Sequence, residues 1–170
     1  MERMWSPWRS QYIDAFKEKK DENICVFCNS IYENIDDDKC LVIYREKDVF
    51  TIMNLYPYNN GHLMVVPRRH IFKINQITTV EFAEITRQIT LATDALTKLY
   101  EPHGFNIGAN VGKAAGAGID THLHFHIVPR WKGDTNFMPV IYNTKVISQS
   151  LDELYKKLSE GITYGARRAT

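Results

Sequence analysis

The chain is poor in cysteine, has no charge of one sign in excess and contains no long apolar run. Three cysteines among 170 residues, an odd number, do not look like a disulfide framework. A reducing, cytoplasmic setting is therefore expected. The 21 basic and 20 acidic residues leave a net charge of +1, which gives no support to a nucleic-acid-coating surface or a polybasic membrane patch. No apolar stretch approaches the ~20 residues of a transmembrane helix. The start, Met1-Glu2-Arg3-Met4-Trp5-Ser6-Pro7-Trp8-Arg9, lacks the apolar segment of a signal peptide. Internal repeats and low-complexity segments are also missing. What remains is a chain with 44% hydrophobic residues, enough for one domain with a sizeable core plus some extensions.

Three of the six histidines stand in one stretch, Thr121-His122-Leu123-His124-Phe125-His126-Ile127-Val128-Pro129-Arg130. They alternate with Leu123, Phe125 and Ile127, the period of a strand, so the apolar residues should face a core and the imidazoles line the other side. A neutral imidazole can act near pH 7 as base, nucleophile or metal ligand. A merely solvated, His-rich strand face is the bland alternative. Spacing alone leaves two chemical readings open, a metal site and an anion site with a nucleophilic histidine.

Along the chain, an aromatic-basic arm (residues 1–24) carries Trp5, Trp8, Tyr12 and Phe16 among arginines and lysines. Packing is the ordinary use of such aromatics. Cys25-Val26-Phe27-Cys28 has the spacing of half a zinc site, with free thiols or a redox pair as alternatives. A redox pair would be expected in a thioredoxin-like unit, and the acidic run through Asp36-Asp37-Asp38 shows none. Leu41–Tyr44, Asp48–Asn54 and His62–Val66 read as strands, the last after the turn signal Asn60-Gly61. Thr78 and Glu81 form a capping-box pattern for a helix to about Tyr100, with Phe82, Ile85, Ile89, Leu96 and Leu99 on its buried stripe. Phe105–Val111 is a further strand. The small-residue loop Gly112-Lys113-Ala114-Ala115-Gly116-Ala117-Gly118 could bring backbone N–H groups close to an anion. It lacks the Gly-Lys-Ser/Thr ending of a Walker loop. Ser148 or Ser150 opens a last helix whose Leu151, Leu154, Tyr155 and Leu158 form a packing or dimer face.

His122-Leu123-His124-Phe125-His126-Ile127-Val128 resembles the histidine triad (HIT) signature, His-φ-His-φ-His-φ-φ with φ apolar, at every position. The likeness continues through Asn54–His70, Asn110-Val111-Gly112 and the Gly116 region, and covers roughly residues 25–131. Trp5-Ser6-Pro7-Trp8-Arg9, Pro129-Arg130-Trp131 and Gly133-Asp134-Thr135-Asn136-Phe137 look like the branch that contains diadenosine tetraphosphate phosphorylases. The resemblance implies an α+β domain (25–140) with an antiparallel sheet of about five strands and a long helix. A C-terminal helical extension (141–170) follows, and two copies form a homodimer whose sheets run together. It implies dinucleoside polyphosphate substrates, with His124 attacking the α-phosphorus to form a nucleotidyl-histidine. His126 contacts the phosphoryl oxygens, and His122 and His62 support the cluster. Asn54 binds ribose, while Asn110, Gly112, Lys113, Gly116 and Gly118 hold phosphate. Where many members carry Gln-Ser after the loop glycine, this chain has Ala117-Gly118.

Some bacterial members bind zinc at positions matching Cys25, Cys28, His70 and His122, so the resemblance also implies a structural zinc ion and no organic cofactor. Cys40 and His103 are bystanders in this reading. The alternatives are an adenosine phosphoramidase and a nucleotide-binding protein with little turnover.

Overall fold

A computed structural model of the protein describes residues 25–31, 36–134 and 150–168. The aromatic-basic arm, Thr135-Asn136-Phe137 and Ser148 lie outside the described residues. Two short helices, α1 (Val26–Ile31) and α2 (Asp37–Cys40), lead into strands β1 (Val42–Arg45), β2 (Val49–Met53) and β3 (Leu63–Pro67). The long helix α3 (Thr79–Tyr100) separates these from β4 (Gly104–Gly108) and β5 (Phe125–Arg130), and α4 (Leu151–Arg168) closes the described chain. All five strands join one antiparallel sheet in the order β1-β2-β3-β5-β4. This is the α+β architecture expected from the sequence.

The two faces of the sheet have different tasks. Thr51 pairs with Val65, and its hydroxyl donates to the Gln88 side chain of α3 at 2.6 Å, so Thr51, Leu63, Val65 and Ile127 point towards the helices. Their neighbours in the alternation, Phe50, Ile52, Met64 and His126, occupy the opposite face. α3 crosses β2, β3 and β5, and α4 packs on α3 and β1. Leu151, Leu154, Leu158 and Ile162 of α4 are buried in the same core as the sheet, and Tyr155 donates its hydroxyl to the Val42 carbonyl at 3.1 Å. The stripe on α4 is thus used in packing within the chain.

Thr78 caps α3 as the sequence indicates. Its side chain accepts from the Glu81 N–H at 3.2 Å, and Glu81 returns a bond to the Thr78 N–H at 2.8 Å. The buried stripe differs from the expected one. Glu81, Ile85, Gln88, Leu91, Ala92, Ala95 and Leu96 are buried, whereas Phe82 is 57% and Leu99 36% exposed. An all-apolar stripe was the wrong criterion, because two buried positions are polar with partners. Glu81 takes a bidentate bond from Arg69, and Gln88 accepts from Thr51 and donates to the Val49 carbonyl.

The strand expected across the histidines is shorter than its alternation. Its ladder with β3 spans Phe125–Ile127 only, and His122, in a bend, and His124 precede it outside the ladder. The reason is local. The Pro67 carbonyl, at the end of β3, takes the His122 imidazole at 2.9 Å, and the Leu123 N–H goes to Ile71 at 2.6 Å. Gly61 makes the sharp entry to β3 at φ +74°, where an added Cβ would stand 2.7 Å from Leu96 Cδ2 and 3.2 Å from Pro129 Cγ.

The hydrogen bonds from Arg69 hold the Glu81 carboxyl down at about 2, from an ordinary value of 4.5, with the Thr78 bonds adding to the effect. A depressed carboxylate stabilises the fold above its unfolded value and loses that contribution as pH falls. Glu81→Ala should cost about 2 kcal/mol in urea unfolding at pH 7. The difference from the parent should shrink as pH falls from about 4.5 towards 2.

Candidate active site and metal centre

Four of the six histidines form an arc on the sheet face away from α3. Ring centroids of His124 and His126 are 4.8 Å apart, and those of His126 and His62 are 5.0 Å apart. Phe27, 1% exposed, packs on His122 and His124 at 5.5 and 5.0 Å. Tyr58 closes the other end, 4.6 Å from His62 and 5.5 Å from His126. His62, His122, His124 and His126 are all buried. The imidazoles expected in a row on one side of the strand are enclosed, by Phe27 of α1 and His70 at the His122 end and by Tyr58 at the other.

Burial sets their charge. It lowers the pKa of His122 and His124, and with help from neighbouring His124 it brings His126 down to about 4. Hydrogen-bond partners then fix where each proton sits. His124 donates Nδ1–H to the His122 carbonyl at 2.8 Å, so its Nε2 carries the lone pair. His62 accepts the Tyr58 N–H on Nδ1 at 3.0 Å, so its proton is on Nε2, 2.9 Å from His126 Nδ1. His126 therefore accepts on Nδ1 and carries its own proton on Nε2. One bare nitrogen beside one N–H donor is the pairing needed to attack an electrophile and steady the charge that develops on it.

At the far end, His122 donates Nε2–H to Pro67, which turns its Nδ1 lone pair towards Cys25 and Cys28 at 3.4 and 3.6 Å. Cys28 Sγ is 3.2 Å from His70 Nδ1. The ligand atoms of these four residues all lie within 4.8 Å of one another. With metal–ligand bonds near 2.0–2.3 Å, tetrahedral edges are roughly 3.4–3.8 Å, so the donor set fits a zinc-sized cation. Burial and the neighbouring Cys25 push the Cys28 thiol up to about 11. A cation at the centre would remove that obstacle to ionisation. Two thiols and two imidazoles brought together from three segments are the group that the sequence placed there.

The β4–β5 loop is built differently from the expected cradle. Gly108 pairs with His126, so the loop starts beside the arc. Gly112 and Gly116 have φ +84° and +85° and bracket a 3₁₀ turn, Lys113–Ala115. The N–H groups of Ala115, Gly116 and Ala117 are spent on carbonyls of Gly112 and Lys113 inside that turn. The Lys113 and Ala114 amides, at its start, have no partner within the turn. Lys113 is an exposed cation 3.8 Å from Asp120, and Gly118 has open space around it. Asn110 is half-buried beside the turn. Asn54 contacts His62 Nδ1 through Nδ2 at 3.3 Å and accepts the Tyr56 N–H. His103 accepts from the Lys132 N–H, and Cys40 lies in the core. Sequence reasoning overlooked Phe27, Tyr58, Asn59 and Asp134. Phe27 carried a signal in its place between the two cysteines; the contacts of the others depend on the fold.

The family profile of the HIT domain matches residues 36–133. A Mycobacterium tuberculosis protein named AP-4-A phosphorylase is 39% identical over 162 residues, 94% of this chain and 83% of its own. The chain belongs to the HIT family. Among solved structures, a hypothetical histidine triad nucleotide-binding protein from Sulfolobus tokodaii aligns with TM-score 0.67 at 25% identity, covering 85% of this chain and 95% of its own. A zinc-bound histidine triad protein from Mycobacterium smegmatis shares the fold, with TM-score 0.67 at 22% identity over 85% and 96% of the two chains. Within this HIT domain, His122, His124 and His126 are the triad, and His62 is the fourth member of the arc.

A lowered histidine pKa means that the unfolded chain binds the proton first, so stability is full above about 6.5 and falls as pH drops towards the folded value. In an NMR titration, His126 should remain neutral at pH 5.5, protonating only near its folded value of about 4. Urea midpoints should decline over the same interval.

Proposed function

We propose that this HIT protein is an enzyme that cleaves dinucleoside polyphosphates such as diadenosine tetraphosphate at an α-phosphate, through a covalent intermediate on His124. The observation that carries the reading is the bare Nε2 of His124, held by the Nδ1–H bond to the His122 carbonyl, beside His126. The similarity to the M. tuberculosis AP-4-A phosphorylase over 94% of this chain supports the substrate class.

In this reading His124 Nε2 attacks the α-phosphorus, and the bond to the bridging oxygen breaks. The remaining polyphosphate departs as a stable anion, so no strong acid is needed. His126 Nε2–H and the amides at the start of the Lys113 turn donate to phosphoryl oxygens as charge builds there. Asn54 lies next to His62 and serves the ribose; Asn110, Gly112, Gly116 and Gly118 shape the phosphate side. Inorganic phosphate or water then attacks the same phosphorus, releasing ADP or AMP and restoring the imidazole.

Cys25, Cys28, His70 and His122 would hold a zinc ion, which when bound would supply a fixed structural positive charge. These residues hold His122 in place behind the nucleophile. Two copies pair through β4, one of the sheet's two edge strands, which carries Ile107 at 48% exposure. The protein works in the cytoplasm, where Cys25 and Cys28 stay reduced.

Incubation with diadenosine tetraphosphate should give ADP plus ATP when phosphate is present; AMP plus ATP regardless of phosphate identifies a hydrolase. His124→Ala should lower turnover at least ~10³-fold while nucleotide binding stays measurable, and unchanged turnover rejects the covalent step. Cleavage of adenosine phosphoramidates alone would favour the phosphoramidase alternative. Cys25→Ser with Cys28→Ser should purify with little zinc, where the parent carries about one ion per chain, and should melt earlier. A parent protein free of zinc and indifferent to chelators overturns the metal assignment.

A further inference from the structure

The proton order along the arc depends on a part of the molecule remote from the triad sequence. His62 places its hydrogen on Nε2 because Nδ1 accepts the Tyr58 N–H at 3.0 Å, a bond that the longer Asn54 Nδ2 contact at 3.3 Å supplements. If that donor moves away, the proton can shift to Nδ1, and His62 then turns a lone pair towards His126 Nδ1. His126 would have to move its own proton to Nδ1 to meet it. That leaves His126 Nε2 bare, so an acceptor faces the phosphoryl oxygens where a donor is needed. One misplaced hydrogen thus reverses the far end of the His62–His126 pair.

What holds the Tyr58 N–H is the adjacent Asn59, which is 8% exposed. Its Nδ2 hydrogens go to the Pro129 carbonyl at 3.0 Å and to Asp134 Oδ2 at 2.9 Å. Its own carbonyl accepts the His62 N–H at 3.2 Å. Asp134 is clamped in turn by Arg130, through Nε to Oδ2 at 2.6 Å and Nη2 to Oδ1 at 2.9 Å. The Trp131 N–H adds a bond to Oδ2 at 3.2 Å. Asp134 therefore ties the β2–β3 loop to the exit of β5, the strand that bears His126. Both ends of the His62–His126 bond are referred to one carboxylate.

We infer that Asp134 and Asn59 are positioning residues that set the tautomers of His62 and His126. Neither touches the reacting atoms. The consequence for catalysis rests on the reading of His126 as a donor to phosphoryl oxygens; the consequence for the protons does not.

The test is a two-bond ¹H–¹⁵N correlation spectrum of the imidazoles in the full-length, metal-loaded protein, with kinetics on diadenosine tetraphosphate alongside. The parent should show His62 and His126 protonated on Nε2 and His124 on Nδ1. Asp134→Asn and Asn59→Ala should each shift His62 and His126 towards mixed tautomers while His124, held by the His122 carbonyl, keeps its own. In the same variants kcat should fall about tenfold with KM moving less than about twofold. A lower melting temperature with parental tautomers would mean a purely structural role and overturn the inference. So would a parent in which His62 carries its proton on Nδ1. Should Asp134→Asn fail to fold, Asn59→Ala tests the same contact from its other end. The spectrum needs no substrate, so a parent that leaves diadenosine tetraphosphate intact rejects the proposed reaction without deciding the tautomer question. Shifted tautomers with unchanged kcat would reject the donor role of His126 alone.

Discussion

His122 is the residue on which the site hangs, because it uses three polar atoms in three directions. Nε2–H is bonded to the end of β3 at Pro67, the carbonyl takes the proton-bearing nitrogen of His124, and Nδ1 faces Cys25 and Cys28. Each bond constrains the next. The Pro67 bond fixes the tautomer of His122, and that tautomer frees Nδ1 for a metal. The carbonyl orients His124 with its lone pair outward. Phe27 joins the same two histidines from the cysteine side, so the Cys/His cluster and the bare nitrogen of His124 share both a backbone carbonyl and a packed ring.

Enclosure by apolar side chains is what makes this hydrogen-bond order decisive. In water an imidazole could change tautomer or charge freely. Buried against Phe27 and the sheet, protonation of the triad is disfavoured, and each neutral ring has one donor and one acceptor to place. The arc then behaves as two hydrogen-bonded units in ring contact, His124 set by the His122 carbonyl and the His62–His126 pair set by the Tyr58 N–H. Its two ends are anchored independently, by Pro67 beside the cysteines and by the Tyr58–Asn59 turn beside Asp134. Antiparallel pairing of β3 with β5 makes the two meet, since Met64 lies opposite His126 and brings His62 alongside. The helices contribute from behind, through a core that admits Glu81 and Gln88 only because Arg69, Thr78, Thr51 and Val49 satisfy them.

Period-two alternation, the capping pair Thr78–Glu81 and the Asn60-Gly61 turn are local signals, and local physics made them legible. They determined β1, β2 and β3 within one residue, the start of α3 and the presence of a histidine cluster, whereas β4 stops three residues short of the expected Val111 and β5 begins only at Phe125. The spacing of Cys25 and Cys28, together with the likeness to HIT proteins, picked out the four residues whose side chains the fold gathers. The sequence by itself could not determine which way a neutral imidazole carries its proton, since that depends on carbonyls and N–H groups distant in the chain. Nor could it show that Phe82 stays outside while Glu81 goes in, because buried polar residues depend on partners supplied by other elements. The loop glycines announced tight backbone, but whether their amides face an anion or close a turn is decided by three-dimensional hydrogen bonding. Asp134 stands in sequence within a loop that resembles one branch of the family; only the tertiary structure makes it the point where the β2–β3 loop and the exit of β5 are tied together.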